Sequence, residues 1–327
     1  MTGSNDATPV LRDRSLGLII FGAISVLVGG GCALMVPLGI AATALSSPVG
    51  GAGVDTRSAL SVSALYAVMA VVFVWLGVGS IRARRWAREL LLSLSWIWLL
   101  TGACSLVIGV FVIPAVVRST AGSSGLPPEM TTILLLVVFA SIGFLYVVLP
   151  MSFVLFYRSP HVAATCRRRD PRPQWIDRCP RRLLTLTVVW FLAAVSVLLM
   201  PAYNFFLPLF GVVLTGVAGA VGWSLVLAAC VALALGTCRR APWAWWSGVV
   251  VILAAALSSV LTVVRYDLGE ILALMALPAG QVEMMSALGM TDGWSMVVFN
   301  VVVWGTFLAY LISVRSYFAP APVTVDE

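Results

Sequence analysis

Three side chains with metal-binding chemistry fall in one short stretch: His161, Cys166 and Cys179, in RSPHVAATCRRRDPRPQWIDRCPRR at 158–182. An imidazole and two thiolates suit zinc, but a closed structural site needs four ligands, and its cysteines come in C-x2-4-C pairs. Here the spacing is H-x4-C-x12-C and the fourth ligand is missing. Neither zinc nor any other cofactor is expected. His161 is the only histidine, so no Ser-His-Asp or Cys-His arrangement is available elsewhere in the chain. No HExxH, GxSxG, P-loop or aspartate-rich prenyl-diphosphate motif occurs.

The second chemistry-bearing group is basic. SIRARRWARE, at 80–89, places Arg82, Arg84, Arg85 and Arg88 within seven positions, and Arg167, Arg168 and Arg169 follow in the 158–182 segment. Guanidinium groups in such runs are candidate contacts for anionic lipid headgroups, each worth ~1 kcal/mol near a charged membrane surface. The same arginines also act as topology signals. TCRRAPWAWW at 237–246 looks like a reduced copy of the first run.

A third group is polar but sparse: Tyr203, Asn204 and Asn300, with Arg265, Asp267 and Glu270 close by in the final third of the chain. These are the candidate ligand-facing residues. An Asn in lipid more commonly hydrogen-bonds to a neighbouring helix, for ~0.6 kcal/mol on average. Residues 265–292 also carry Glu283 and Asp292, an acidic excess expected to form a solvated loop. Leu268, Ile271, Leu272 and Met275 recur there at helical spacing, which predicts a short surface helix.

The elements that must hold these groups follow from composition. Of 327 residues, 61% are hydrophobic and only 10% charged, and the mean hydropathy is +1.05. A soluble domain carries about a quarter charged residues. The formal charge of +7 is therefore read against a bilayer, and no nucleic-acid partner is expected. A ~30 Å hydrocarbon core needs about 20 apolar residues per helix. Eight runs qualify: Leu16–Leu38, Leu60–Ile81, Leu90–Val117, Thr132–Tyr157, Leu183–Phe205, Val212–Gly236, Trp243–Val264 and Trp294–Val314. None alternates as barrel strands do, so all eight are predicted as helices. No Asp, Glu, Arg or His falls near a span centre, which counts against proton relays and ion-coupled transport. Gly29, Gly30 and Gly31, then Gly216, Gly219 and Gly222, then Ala254, Ala255, Ser258 and Ser259, are expected helix-packing surfaces.

Arginine sets the orientation, because short cytoplasmic loops retain it. Counting by alternating sides puts seventeen of the twenty arginines with the two termini and only Arg57, Arg118 and Arg265 opposite. Both termini are expected in the cytoplasm of a bacterial cell, with the chain in its inner membrane.

The chain also reads as a tandem duplication. A shift of 157 places Leu76, Gly79, Arg82, Trp86, Ala87 and Arg158 over Leu233, Gly236, Arg239, Trp243, Ala244 and Arg315. A shift of 171 places Pro37 over Pro208. The predicted fold is thus an all-α integral membrane protein: a tail at 1–15, a four-helix unit at 16–157, a basic cytoplasmic linker at 158–182, a second four-helix unit at 183–314, and a tail at 315–327. Units with an even number of spans insert in the same sense, which predicts a pseudo-two-fold axis along the membrane normal. The linker's prolines and arginines argue against a folded domain within it.

With no reactive motif, the expected function is non-catalytic: an accessory or scaffolding protein whose partners are the anionic cytoplasmic leaflet and other membrane proteins. The alternative is a passive carrier or channel for an uncharged or lipid-like substrate, with its site between the repeats. A membrane enzyme is the second alternative.

Overall fold

The computed structural model describes residues 13–45, 56–124, 127–172, 176, 179–277 and 293–318. The two outermost tails, residues 46–55 and the stretch holding Glu283 and Asp292 lie outside these. In chain order the helices are α1 (Ser15–Leu45), α2 (Thr56–Ile81), α3 (Arg85–Ser124), α4 (Pro128–Gly143), α5 (Leu149–Arg158), α6 (Pro160–Arg169), α7 (Arg181–Ser196), α8 (Gly216–Cys238), α9 (Pro242–Arg265), α10 (Leu268–Leu274) and α11 (Gly293–Ser313). A π-helical turn at Phe144–Val148 joins α4 to α5, and a 3-10 segment at Val197–Tyr203 prolongs α7.

Seven stretches are long and apolar enough to cross a membrane: Ser15–Ala41, Thr56–Ile81, Arg85–Leu106, Glu129–Arg158, Arg181–Tyr203, Gly216–Cys238 and Pro242–Arg265. A shorter apolar stretch, Asn300–Ser313, lies in α11. Their outward faces are apolar, with Leu27 74%, Leu136 70%, Val217 84% and Val264 73% exposed. Surfaces of that kind are stable only against lipid.

Helices α1 and α2 share the most extensive contact in the fold, and small residues on both permit a close approach. Ser63, Ala70 and Gly77 on α2 face Gly39, Gly29 and Gly22 on α1. A Cβ on Gly22 would lie 2.8 Å from the Gly77 carbonyl oxygen, and one on Gly77 would lie 2.7 Å from that of Gly22. In lipid such contact drives association, because burial of apolar surface gains nothing there. Of the glycine triplet, only Gly29 packs; Gly30 and Gly31 face open space.

Each half has its own core. In the first, Leu18, Leu76, Leu91, Phe153, Tyr157 and Val162 cluster. Tyr157 is fully buried, its hydroxyl 2.7 Å from Ser80 Oγ, which donates to the Leu18 carbonyl at 3.1 Å. In the second, Leu183, Trp190, Leu233, Trp245, Leu311 and Val314 cluster. The two halves meet where α7 and its 3-10 prolongation lie along α2 and α3. Among the described residues no comparable contact joins α1 to α8 or α9. A pseudo-two-fold axis would require that reciprocal contact, so the expected 180° relation does not describe this seam.

Three sequence expectations are corrected. The sixth helix starts at Gly216, not Val212: Val212–Leu214 pairs antiparallel with Leu207–Leu209, in register Leu207↔Leu214 and Leu209↔Val212. The two turn residues, Phe210 and Gly211, have φ of 49° and 80°, the pattern of a type I′ hairpin turn. Apolar residues on both strands made this hairpin indistinguishable from a span. Pro208 therefore sits in a strand while Pro37 sits inside α1, so the two prolines do not occupy equivalent positions. The 158–182 connection also carries more structure than its composition implied, since α6 packs Val162, Thr165 and Cys166 inward and Ile176 is buried too.

Candidate functional site

The candidate ligand-facing residues are mostly engaged by the fold itself. Asn204 ends the 3-10 segment in a left-handed conformation, φ 52°. Its carbonyl accepts from Gly216 N at 2.9 Å, and its Nδ2 donates to the Leu274 carbonyl at 3.3 Å. It thereby ties the hairpin to α10. Tyr203, beside it, is 39% exposed. Asn300, on α11, accepts a hydrogen bond from Ser259 Oγ of α9. Ser258 bonds the hairpin from the next position, accepting from Phe210 N at 2.9 Å and donating to the Pro208 carbonyl at 2.7 Å. Asp267 and Glu270 form a capping box at the start of α10, with Asp267 N donating to Glu270 Oε2 at 3.2 Å. Arg265 is the last residue of α9, where a cation complements the helix dipole. These residues hold helices and a hairpin together.

The arginines do converge. Ser159, with extended backbone, and Pro160 break the chain after Arg158 and start α6, which folds back beneath the first bundle. Pro at the first helical position loses no hydrogen bond, and Arg167, Arg168 and Arg169 in the last turn face the negative end of the dipole. Asp170 caps this helix, only 3% exposed, and accepts from Arg84 Nη1 and Arg85 N, both at 3.4 Å. The N-terminal end joins in: Arg14 N donates to Thr165 Oγ1 at 3.1 Å, and Arg169 lies 4.0 Å from Asp13.

Between α3, α5, α6 and α7 this arrangement forms an open basin of about 590 Å³, lined by Arg88, Arg158, Arg167, Arg168 and Arg181 with Pro160, Ala163 and Ala164. Arg88 is 5% exposed, held in place by an ion pair with Glu89. The same carboxylate takes Arg181 Nε at 3.0 Å and Nη2 at 3.4 Å, which joins α3 to α7 across the seam. Arg88 Nε is buried and has no hydrogen-bond partner. Among the described residues no carboxylate pairs with Arg158, Arg167 or Arg168. The result is a concave surface of concentrated positive charge, which attracts anions and repels cations.

Of the arginines singled out by sequence, Arg88, Arg167 and Arg168 line this basin. Arg84 and Arg85 are held by Asp170, Arg169 approaches Asp13, and Arg82 is exposed outside the wall. Arg158 and Arg181 were missed as site residues. The available signal was their position, since both sit at the ends of the connection between the halves. His161 and Cys166 share α6, but among the described residues no three His, Cys, Asp or Glu side chains gather as metal ligands.

Burial pushes the Cys166 thiol up to about 11, against the opposing pull of Arg88. At pH 8 only about one in a thousand such thiols is ionised. In a variant retaining Cys166 as its sole cysteine, maleimide labelling is expected to rise about tenfold per pH unit from pH 8 to 10. A plateau near pH 9 would place the thiol in water instead.

Long apolar helices with lipid-facing surfaces, capped by a basic layer, define a multi-pass, all-α membrane protein with one short hairpin. Compared with protein-family models, with curated proteins and with solved structures, the chain matches none.

Proposed function

We propose that this chain is a non-catalytic accessory or scaffolding protein of a bacterial inner membrane, with eight spans, α11 being the eighth, and both termini in the cytoplasm. The observation that carries this reading is where the intramembrane polar groups go. Ser80 with Tyr157, Ser259 with Asn300, Ser258 with the hairpin, and Asn204 with Leu274 each bond within their own half. Groups committed in this way hold helices together, whereas a carrier for uncharged solutes needs polar groups turned toward a shared cavity.

The tandem origin belongs to the same proposal. Its support is local and comes from the 157-residue shift. Ala83 and Arg240 have φ of 52° and 53°. Arg84 N bonds to the Gly79 carbonyl at 2.9 Å, and Ala241 N to that of Gly236 at 3.0 Å. Burial matches as well: Leu76 and Leu233 are 3% and 2% exposed, Ala87 and Ala244 0% and 2%, and Val154 and Leu311 2% and 1%.

Two measurements test the functional reading together. Proteoliposomes holding the purified chain are expected to pass glycerol and erythritol no faster than empty vesicles. Removing the chain from cells is expected to lower the abundance of at least one other multi-pass protein in the membrane. A solute flux that disappears in an Asn300→Leu variant would replace this reading with the carrier.

A further inference from the structure

We propose that the arginine basin is a binding site for a phosphate monoester, supplied either as a lipid headgroup or as a soluble metabolite. The proposal depends on the scaffold reading only for the side of the membrane that the basin faces.

The first argument is the state of Arg88. A guanidinium carries five donors in a planar fork, and burying it is costly unless those donors are used. Glu89 takes part of this demand, yet Nε remains buried and unpartnered beside a cavity large enough for a phosphate and a glycerol-sized remainder. Arginine forks match phosphate oxygens in bidentate fashion, which adds geometry to charge.

The second argument is the surplus of positive charge. Acidic neighbours satisfy the surrounding arginines: Asp170 takes Arg84, Asp13 lies by Arg169, and Glu89 spans Arg88 and Arg181. Arg158, Arg167 and Arg168, from two different helices, are the ones left facing the cavity without a carboxylate among the described residues. Three cations held together repel one another, at a cost that a multiply charged anion removes.

The third argument is a comparison within the chain. Under the 157-residue shift, Arg88 and Arg158 correspond to Trp245 and Arg315. There the indole is 7% exposed, donates Nε1 to the Leu311 carbonyl at 2.9 Å, and carries the Arg315 guanidinium over its ring at 5.3 Å. That corner is filled and its donor is used. In the first half the matching corner is an open cavity with an unused donor. The basin also lies at headgroup depth, because Arg158 ends one apolar stretch, Arg181 begins the next, and Arg88 lies in the first turn of a third.

The test uses the full chain in phosphatidylcholine nanodiscs, where both faces are accessible, so binding does not depend on orientation or on any scaffold partner. Dioctanoyl phosphatidic acid, glycerol 3-phosphate and dioctanoyl phosphatidylcholine are titrated while the thermal midpoint is followed. Phosphatidic acid is expected to raise the midpoint by several degrees, and phosphatidylcholine to leave it unchanged. A matching rise with glycerol 3-phosphate identifies a soluble ligand, and a rise with the lipid alone identifies a headgroup. The triple variant Arg158→Gln, Arg167→Gln, Arg168→Gln removes only exposed side chains and is expected to weaken binding at least tenfold. Arg239→Gln with Arg240→Gln, at the other turn, is expected to bind as the unaltered chain does. Binding that survives the triple substitution, or no midpoint rise with either phosphate probe, overturns the site.

Discussion

Gly22→Leu and Gly77→Leu are each expected to destabilise the first half by at least ~3 kcal/mol, at or above the upper end of ordinary overpacking costs. Their size follows from what an added side chain would meet. At Gly22 a Cβ would come within 2.8 Å of the Gly77 carbonyl oxygen and 3.0 Å of Ile81 N; at Gly77 it would come within 2.7 Å of the Gly22 oxygen and 2.9 Å of Val26 N. These are backbone atoms of the partner helix, which no change of rotamer can move aside. Separating α1 from α2 would also open the Gly29 contact with Ala70 and Val74 and draw Leu18 away from Ser80. In lipid nothing compensates, because the exposed faces gain no hydrophobic penalty that would drive them back together. Gly30→Leu is the internal control. It is the immediate neighbour of Gly29 in the same seam but faces open space, so its cost should stay within about 0.5 kcal/mol. Unfolding titrations in a denaturing detergent would read all three, and equal sensitivity at Gly22 and Gly30 would reject the close packing.

That contrast also marks how far a sequence can be read. Apolar runs located the long helices, because a bilayer imposes a similar length and composition on every span, although the ends of α1 and α3 lie up to seven residues beyond the predicted spans. The phase of each helix is another matter. GGG at 29–31 offers three small residues to any neighbour, and only packing against α2 selects Gly29. The hairpin was hidden for a related reason: LPLFGVVL at 207–214 is apolar throughout, and strand alternation disappears when both faces of a ribbon meet apolar surroundings. Its usable signal was the Phe210-Gly211 turn, which on its own is weak. The arginine basin was half legible. Composition pointed to basic runs at helix ends, and Arg88, Arg167 and Arg168 were among those named. Joining them to Arg158 and Arg181 required the reversal at Ser159-Pro160, and the pairing of Arg84 with Asp170 required α6 to dock. Contacts between residues about 90 positions apart leave no periodic trace in a single sequence.

The second large effect tests the proposed duplication at its best-supported point. Gly79→Val and Gly236→Val are expected to destabilise their own halves by ~2–3 kcal/mol each, and by amounts that agree within about 0.5 kcal/mol. Both glycines lie in the last turn of a helix, four residues before a left-handed residue, and the following helix turns back across them. A Cβ at Gly79 would stand 2.7 Å from Ala87 Cβ, 2.7 Å from Trp86 Cη2 and 2.9 Å from Cζ2. At Gly236 the distances are 2.7 Å to Ala244 Cβ and 2.8 Å to both Trp243 Cη2 and Cζ2. The same three atoms close the same turn in each half, so an added side chain has the same two choices, to displace an indole or to bend a tight turn. The indoles differ in support: Trp86 stacks on Trp75 at 4.1 Å, while Trp243 is 52% exposed. Any inequality should therefore run one way, with Gly79 the costlier site. Because each turn belongs to a separate core, the double variant should cost the sum of the two. A Gly236→Val protein as stable as the unaltered chain, beside a Gly79→Val protein that fails to fold, would mean that the two turns resemble each other in shape alone, and the duplication would lose its main support.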